Sequence, residues 1–167
     1  MSEPHIVIIG GGFSGAAVAI HLLREAQTPV RITLIEPREQ PGLGVAYSAA
    51  DPAHRINVPA SRMQLSGEEE GAFDRWYRQQ TSFLRDADAR RPDGSVYPQR
   101  GEFGRYVAQA FLTEAQKQPG RVSHLRDTAV AWQDNQVITA QGRKISADRV
   151  VLAVSHPPPD LPKEVRA

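Results

Sequence analysis

His5-Ile6-Val7-Ile8-Ile9-Gly10-Gly11-Gly12-Phe13-Ser14-Gly15-Ala16 is the stretch that decides the fold. Its first five residues are a short, continuous, β-branched run, the pattern of a strand buried on both faces of a parallel sheet. Glycines in Gly-x-Gly-x-x-Gly spacing follow. Ala16 to Ala26 then reads as a helix, with Ala16, Ala19, Ile20 and Leu23 on one face. Thr28-Pro29 ends it. Val30 to Ile35 predicts a second strand, closed by Glu36-Pro37. Strand, helix and strand within residues 5–36 make one βαβ unit.

In that setting the glycines acquire chemical meaning. Gly10 permits a tight turn out of the strand, Gly12 lets a diphosphate approach the backbone, and Gly15 lets the helix pack closely on the sheet. The helix N-terminus offers free N–H groups and about half a positive charge. Ser14 is expected to cap this helix and touch phosphate. Glu36 lies 21 positions after Gly15, close to the spacing of about 20 at which a carboxylate accepts hydrogen bonds from a ribose diol. Gly10, Gly12, Phe13, Ser14, Gly15, Glu36, Pro37 and Arg38 are therefore candidate cofactor-binding residues. Glu36 argues against a 2′-phosphate, while Arg38 nearby keeps NADP open. The competing reading is that the glycines serve packing alone.

Residues 37–67 show no periodicity, yet they contain Val45, Tyr47, Ile56, Val58, Met63 and Leu65. They read as an ordered loop wrapped on the rest of the protein. Glu68-Glu69-Glu70 predicts the start of a helix to about Gln80, with Phe73, Trp76 and Tyr77 on one side. Residues 85–95 are charged and expected to be exposed. Gly101 to about Gln118 is a strongly amphipathic helix with Phe103, Tyr106, Val107, Ala110 and Phe111 in one stripe, stopped by Pro119-Gly120. Four short runs, Val122 to Leu125, Thr128 to Trp132, Val137 to Ala140 and Lys144 to Ser146, predict a β-meander with turns at Asp134-Asn135 and Gln141-Gly142. Arg149 to Val154 reads as a central parallel strand. The expected fold is α/β: a Rossmann-like doubly wound parallel sheet with an inserted helical segment and a β-meander. The expected domain spans residues 1–156, with residues 157–167 a Pro-rich tail or linker toward a further domain.

Composition narrows the function. The 167 residues hold 20 Lys+Arg and 19 Asp+Glu, a net charge of +1, so no bulk electrostatic partner such as nucleic acid or an anionic membrane is implied. The sequence has no Cys, which excludes disulfides, thiolate catalysis and Cys-based metal sites within it. Its apolar stretches are interrupted before the roughly 18–20 residues of a spanning helix, and no secretory pattern opens the sequence. A cytoplasmic protein is expected. The five histidines show no metal-ligand spacing, so no metal is expected. His54 and His156 are candidate proton shuttles, with a surface or structural role favoured for each. Ser14 lies in Gly-Phe-Ser-Gly, which is not a nucleophile elbow. Trp76 and Trp132 are expected to pack. Arg55, Arg62 and Arg100 are read equally as anion ligands or solvated side chains.

Beyond the first motif, several segments share a pattern: Gly10-Gly11-Gly12-Phe13-Ser14-Gly15-Ala16, Glu36-Pro37-Arg38, Gly42-Leu43-Gly44-Val45-Ala46-Tyr47, Asn57-Val58-Pro59-Ala60, Pro98-Gln99-Arg100 with Phe103-Gly104-Arg105-Tyr106, and Val150-Val151-Leu152-Ala153. Over about residues 5–160 the chain resembles the N-terminal FAD-binding portion of the FAD/NAD(P)-binding bacterial flavoproteins of the two-dinucleotide-binding-domain type. The resemblance implies that the Gly42–Tyr47 loop, with Gly44 and Tyr47, runs beside the FAD diphosphate toward the flavin. It implies that Asn57 is a polar group near the flavin and that Val130 gives backbone contacts to adenine. Ala153 would stand by the cofactor where the family has Ala-Thr-Gly; this chain has Ala153-Val154-Ser155-His156 instead.

Family members continue into a substrate or NAD(P) part and return to complete the flavin site. A further domain or subunit doing so is expected, with weaker FAD retention without it. The implied function is the FAD-binding domain of a flavin-dependent oxidoreductase with NAD(P)H as electron donor, its substrate and catalytic residues unassigned. A nucleotide-binding or regulatory module without redox turnover, and a simple NAD-binding domain, are the alternatives.

Overall fold

The computed structural model describes residues 3–155, so His156 and the Pro-rich 157–167 lie outside the described residues. The chain runs β1 (His5–Ile9), α1 (Phe13–Glu25), β2 (Arg31–Ile35), α2 (Ala72–Arg78), α3 (Thr81–Arg85), α4 (Arg100–Lys117), β3 (Val122–Leu125), β4 (Ala129–Gln133), β5 (Gln136–Thr139), β6 (Lys144–Ser146) and β7 (Arg149–Leu152). Short 3-10 turns occur at Ala60–Arg62 and Ala87–Ala89.

Four strands form one parallel sheet in the order β3-β2-β1-β7. Alternation along β1 and β2 sends side chains to two separate cores. Ile8, Ile32 and Leu34 face the helices, where they meet Ala16, Ala19, Ile20 and Leu23 of α1 and Phe103, Val107 and Phe111 of α4. Val7 and Ile35 face the other way and are covered by Val137 and Ala147 of the antiparallel β4-β5-β6 meander, with Ile145 at its margin. The fold is thus Rossmann-like α/β, with helices on one face and the meander on the other.

Four expectations need correction. Val122–Leu125 is not a meander strand. It pairs parallel with β2, Ile32 opposite Val122, because the long α4 crossover returns the chain to the same end of the sheet. Arg149–Leu152 is not central: among the described residues β7 pairs only with β1 and forms the sheet edge. The helix expected from Glu68 begins at Ala72, because Gly71 takes φ +70° and breaks the helical path before it. Within the charged 85–95 segment Ala89 is fully buried, and Asp86 is covered by its pairing with Arg55. The Asp134-Asn135 turn does form, both residues adopting positive φ, as a tight hairpin of this type requires.

The 37–67 loop is ordered by the body it wraps. Ile56, Ala60 and Leu65 are buried in the helical-face core. The backbone of Ile56 donates to Pro98 O at 3.0 Å and that of Ala60 to Val96 O at 2.8 Å. No helix among the described residues is long and apolar enough to cross a membrane.

Candidate cofactor site

The site grows from the carboxyl ends of β1, β2 and β7, where open α/β sheets bind ligands. Gly10 leaves β1 at φ +96°, and a Cβ there would stand 2.5 Å from the Ala153 carbonyl oxygen. A Cβ on Gly15 would overlap the Gly10 carbonyl oxygen. Strand, turn and helix are therefore closed on one another with no space for a methyl group. Gly12 is different. Its φ of −67° suits any residue, and a Cβ would meet only the Gly44 backbone, Cα at 3.3 Å and N at 3.8 Å. Gly44 faces it at φ +55°. Two bare backbones thus pack directly against each other beside the start of α1. The first N–H groups of α1 have no partner within the helix, and its first residues, Phe13 and Ser14, line the adjoining cleft.

Beside this contact lies a cleft of about 320 Å³ lined by Gly12, Phe13, Ser14, Leu43–Tyr47 and Leu152–Ser155. That is the low end of ligand-pocket volumes. The 42–47 wall is fixed from behind. Gly42 N–H donates to Gly11 O at 2.7 Å. Gly104 on α4 leaves room for the Tyr47 carbonyl, which would lie 2.7 Å from a Cβ. Phe13, Tyr47 and Phe103 pack edge to face and tilted, with ring centroids 4.9–6.2 Å apart, and burial raises the Tyr47 phenol above its ordinary pKa.

Glu36 stands at the end of β2 with 3% of its surface exposed. Its Oε2 accepts from Gly11 N–H at 2.9 Å. Its Oε1 accepts from Arg38 N–H at 3.0 Å and Arg38 Nη1 at 3.1 Å. A carboxylate has about four lone-pair positions, so one acceptor position remains beyond these three. Gly11 was not among the predicted residues, yet its amide ties the glycine turn to Glu36, and a Cβ there would stand 2.5 Å from Glu36 Cβ. Its place in an unbroken Gly-Gly-Gly run was the available signal.

The structure brings Gly12, Phe13, Ser14, Gly44, Tyr47 and Ala153 to the cleft and sets Gly10 and Gly15 beneath it. Ser14 is not the cap: the helix is capped at Gly12 without a side-chain bond, and Ser14 lies inside the first turn. Glu36 and the two residues that follow it, Pro37 and Arg38, do not line the cleft. Asn57 is exposed and does not line it. Val130 is also away from the lining, but it sits at a β-bulge: Ala129 faces Thr139 and Ala131 faces Ile138, leaving Val130 without a ladder partner on β5. Its backbone polar groups are therefore released from the β4–β5 pairing. Lining residues missed at first are Leu43, Val45, Ala46, Leu152, Val154 and Ser155. The first three lie inside the loop motif already singled out.

Other side chains resolve into packing. Trp76 stacks on Phe73 and donates to Gln109 Oε1 at 2.8 Å, whereas Trp132, expected to pack, is 60% exposed. Arg100 Nε donates to the Arg55 carbonyl at 3.1 Å. Arg62 and His54 are exposed. A larger cleft of about 610 Å³ is lined by Arg55, Ser82, Asp86, Glu102 and Arg105 among others. There Arg55 forks onto Asp86 at 2.8–2.9 Å and Arg105 pairs with Glu102. These charges answer one another, and this cleft has neither the facing glycine backbones nor the α1 N-terminus of the smaller one. Among the described residues no cluster of His, Asp and Glu could hold a metal ion.

A model of the FAD-NAD(P)-binding family matches residues 7–157. The chain belongs to that family. No curated protein matches. Among solved structures it is similar to a flavin-containing monooxygenase from Stenotrophomonas maltophilia, with 22% identity and a TM-score of 0.52 over 92% of this chain and 38% of that one. It is similar to the closed form of cyclohexanone monooxygenase, with 18% identity and a TM-score of 0.58 over 96% of this chain and 28% of that one. A 2-methyl-3-hydroxypyridine-5-carboxylic acid oxygenase gives 17% identity and a TM-score of 0.51 over 90% of this chain and 39% of that one. The shared feature is the fold, and this FAD-NAD(P)-binding chain spans less than two-fifths of those neighbours.

Proposed function

We propose that this chain is the FAD-binding domain of a flavin-dependent oxidoreductase that takes electrons from NAD(P)H. The observation that carries the reading is the cleft at the N-terminus of α1, where the side-chain-free backbones of Gly12 and Gly44 pack together in one wall beside the first helical residues, Phe13 and Ser14. That is the chemistry a diphosphate bridge requires, an anion stabilised by amides and a helix dipole with no Cβ in its way. The residues present therefore fit the group. The diphosphate would lie over Phe13, Ser14 and Gly15. The adenosine ribose would use the remaining acceptor position of Glu36 with Pro37 and Arg38 beside it, and adenine the freed backbone of Val130. The flavin end would run along Gly44–Tyr47 toward Ala153 and Asn57. FAD supplies the redox chemistry when bound; the protein binds and orients it.

The flavin end of the cleft is bounded by Leu152 and Val154, which are 73% and 61% exposed. A further domain or subunit covering them completes the site in this reading, and FAD is held less tightly without it. The cytoplasm is the proposed location. The same open wall favours one second reading, a nucleotide-binding or regulatory module without redox turnover. Release of the cofactor from purified protein, identified by mass, followed by addition of NADH or NADPH under anaerobic conditions, tests both. FAD that bleaches supports the oxidoreductase. FAD that stays oxidised supports the regulatory module. A nicotinamide nucleotide with no flavin identifies a simple NAD-binding domain and removes the proposal.

A further inference from the structure

We propose that His124 is a positioning residue for the ribose-binding carboxylate; this rests on the FAD reading above. Glu36 lies one residue past the end of β2, where the sheet no longer constrains it by regular pairing. Its N–H still donates to Leu125 O on β3 at 3.1 Å. In a parallel ladder, a residue that donates to one carbonyl accepts from the amide two positions further along the same strand. For Glu36 that amide belongs to Asp127. It is not available: Asp127 N–H turns back to Leu125 O at 2.9 Å as the chain leaves for the meander.

The missing rung is supplied by a side chain. His124 Nε2 lies 2.9 Å from Glu36 O. A carbonyl can only accept, so Nε2 carries the hydrogen and donates. His124 faces Leu34 across the β2–β3 register, which brings its ring alongside the exit of β2. Both backbone polar groups of Glu36 are thereby clamped to β3, its N–H by Leu125 and its carbonyl by His124. The backbone is then fixed before the side chain divides its acceptors between Gly11 and Arg38. A ligand hydroxyl reaching the last acceptor position finds it already aimed. Without His124, the 36–38 turn keeps its contacts on the Gly11 side and loses the β3 tether on its carbonyl.

The test uses the full chain, with ADP and 2′,3′-dideoxy-ADP as probes in calorimetric titrations. The dideoxy compound keeps the adenine and diphosphate but lacks the ribose hydroxyls. His124→Ala should weaken ADP about three- to tenfold, the range of one lost hydrogen bond, and weaken the dideoxy compound less than about twofold. His124→Gln, whose amide can still donate to the carbonyl, should recover most of the ADP affinity. Should His124→Ala fail to fold by circular dichroism, His124→Asn, too short to reach, replaces it. An equal loss for both ligands, or no loss for ADP, overturns the proposal while leaving the FAD reading standing. Wild-type protein that binds neither probe removes the FAD reading, and this proposal with it.

Discussion

The two sides of the cleft are built to different standards. On the β1–α1–β2 side every backbone is locked: Gly10 against Ala153, Gly15 against Gly10, Gly11 against Glu36, with no space for a methyl group at any of them. On the β7 side, the sheet ends among the described residues, and Leu152 and Val154 stand in solvent. The contrast says which part of the cofactor this chain grips unaided. The diphosphate and adenosine ribose meet preorganised donors and acceptors, which cost little to assemble on binding. The flavin end meets one finished wall and one unfinished one.

The largest expected effect breaks the finished side. Gly15→Ala pushes a methyl group into the Gly10 carbonyl. Overpacking of this kind costs about 3 kcal/mol or more, and a thermal melt should show a fall of about 6 °C or more together with loss of nucleotide binding. Gly12→Ala sharpens the comparison, since its Cβ meets only the Gly44 backbone, at 3.3 Å. The melting temperature should fall less than for Gly15→Ala, because Gly44 need give by only a few tenths of an ångström, while affinity for FAD falls about 10- to 100-fold as the glycine wall of the cleft is pushed out of place. A loss of stability equal to that of Gly15→Ala would mean that Gly12 serves packing alone.

Arg55→Gln tests a region outside the cofactor cleft. Loss of its forked bonds to Asp86 should cost roughly 1–3 kcal/mol and leave FAD affinity unchanged. Hydrogen bonds from Arg55 hold Asp86 below its ordinary value against the opposing effect of burial. A depressed carboxylate stabilises the fold above its unfolded pKa and loses that contribution as pH falls through the folded value. The melting difference between wild type and Arg55→Gln should therefore be full at neutral pH and shrink below about pH 4.

Glu36→Gln should weaken FAD by about tenfold, the scale of a hydrogen bond to a charged acceptor; unchanged affinity would place the ribose elsewhere. The smallest effect belongs to the open wall. Leu152→Ala should alter stability by no more than about 0.5 kcal/mol, as calorimetry would show. A larger loss would mean that this side is already covered in solution.

The sequence made the βαβ unit legible because its signals are local: an apolar run, three spaced glycines and a small-residue helix face each report on neighbours within a few positions. The α4 stripe of Phe103, Tyr106, Val107 and Phe111 was legible for the same reason. What escaped was set by distant partners. Val122–Leu125 carries no mark distinguishing a parallel strand from a meander strand; its partner, β2, lies some ninety residues earlier. Arg149–Leu152 has the apolar content of a central strand, but its place at the edge depends on what else joins the sheet. At the site, glycine positions were readable because each close approach forbids a side chain. His124 was not, since its partner Glu36 lies 88 residues earlier and nothing in its own neighbourhood names it.

The most direct measurement is a crystal structure of the protein soaked with FAD. The account predicts density for the diphosphate over the first turn of α1, in the cleft that Gly12 and Gly44 line, with the adenosine ribose at Glu36. Diphosphate density elsewhere, or none at saturating FAD in an accessible lattice, would contradict it.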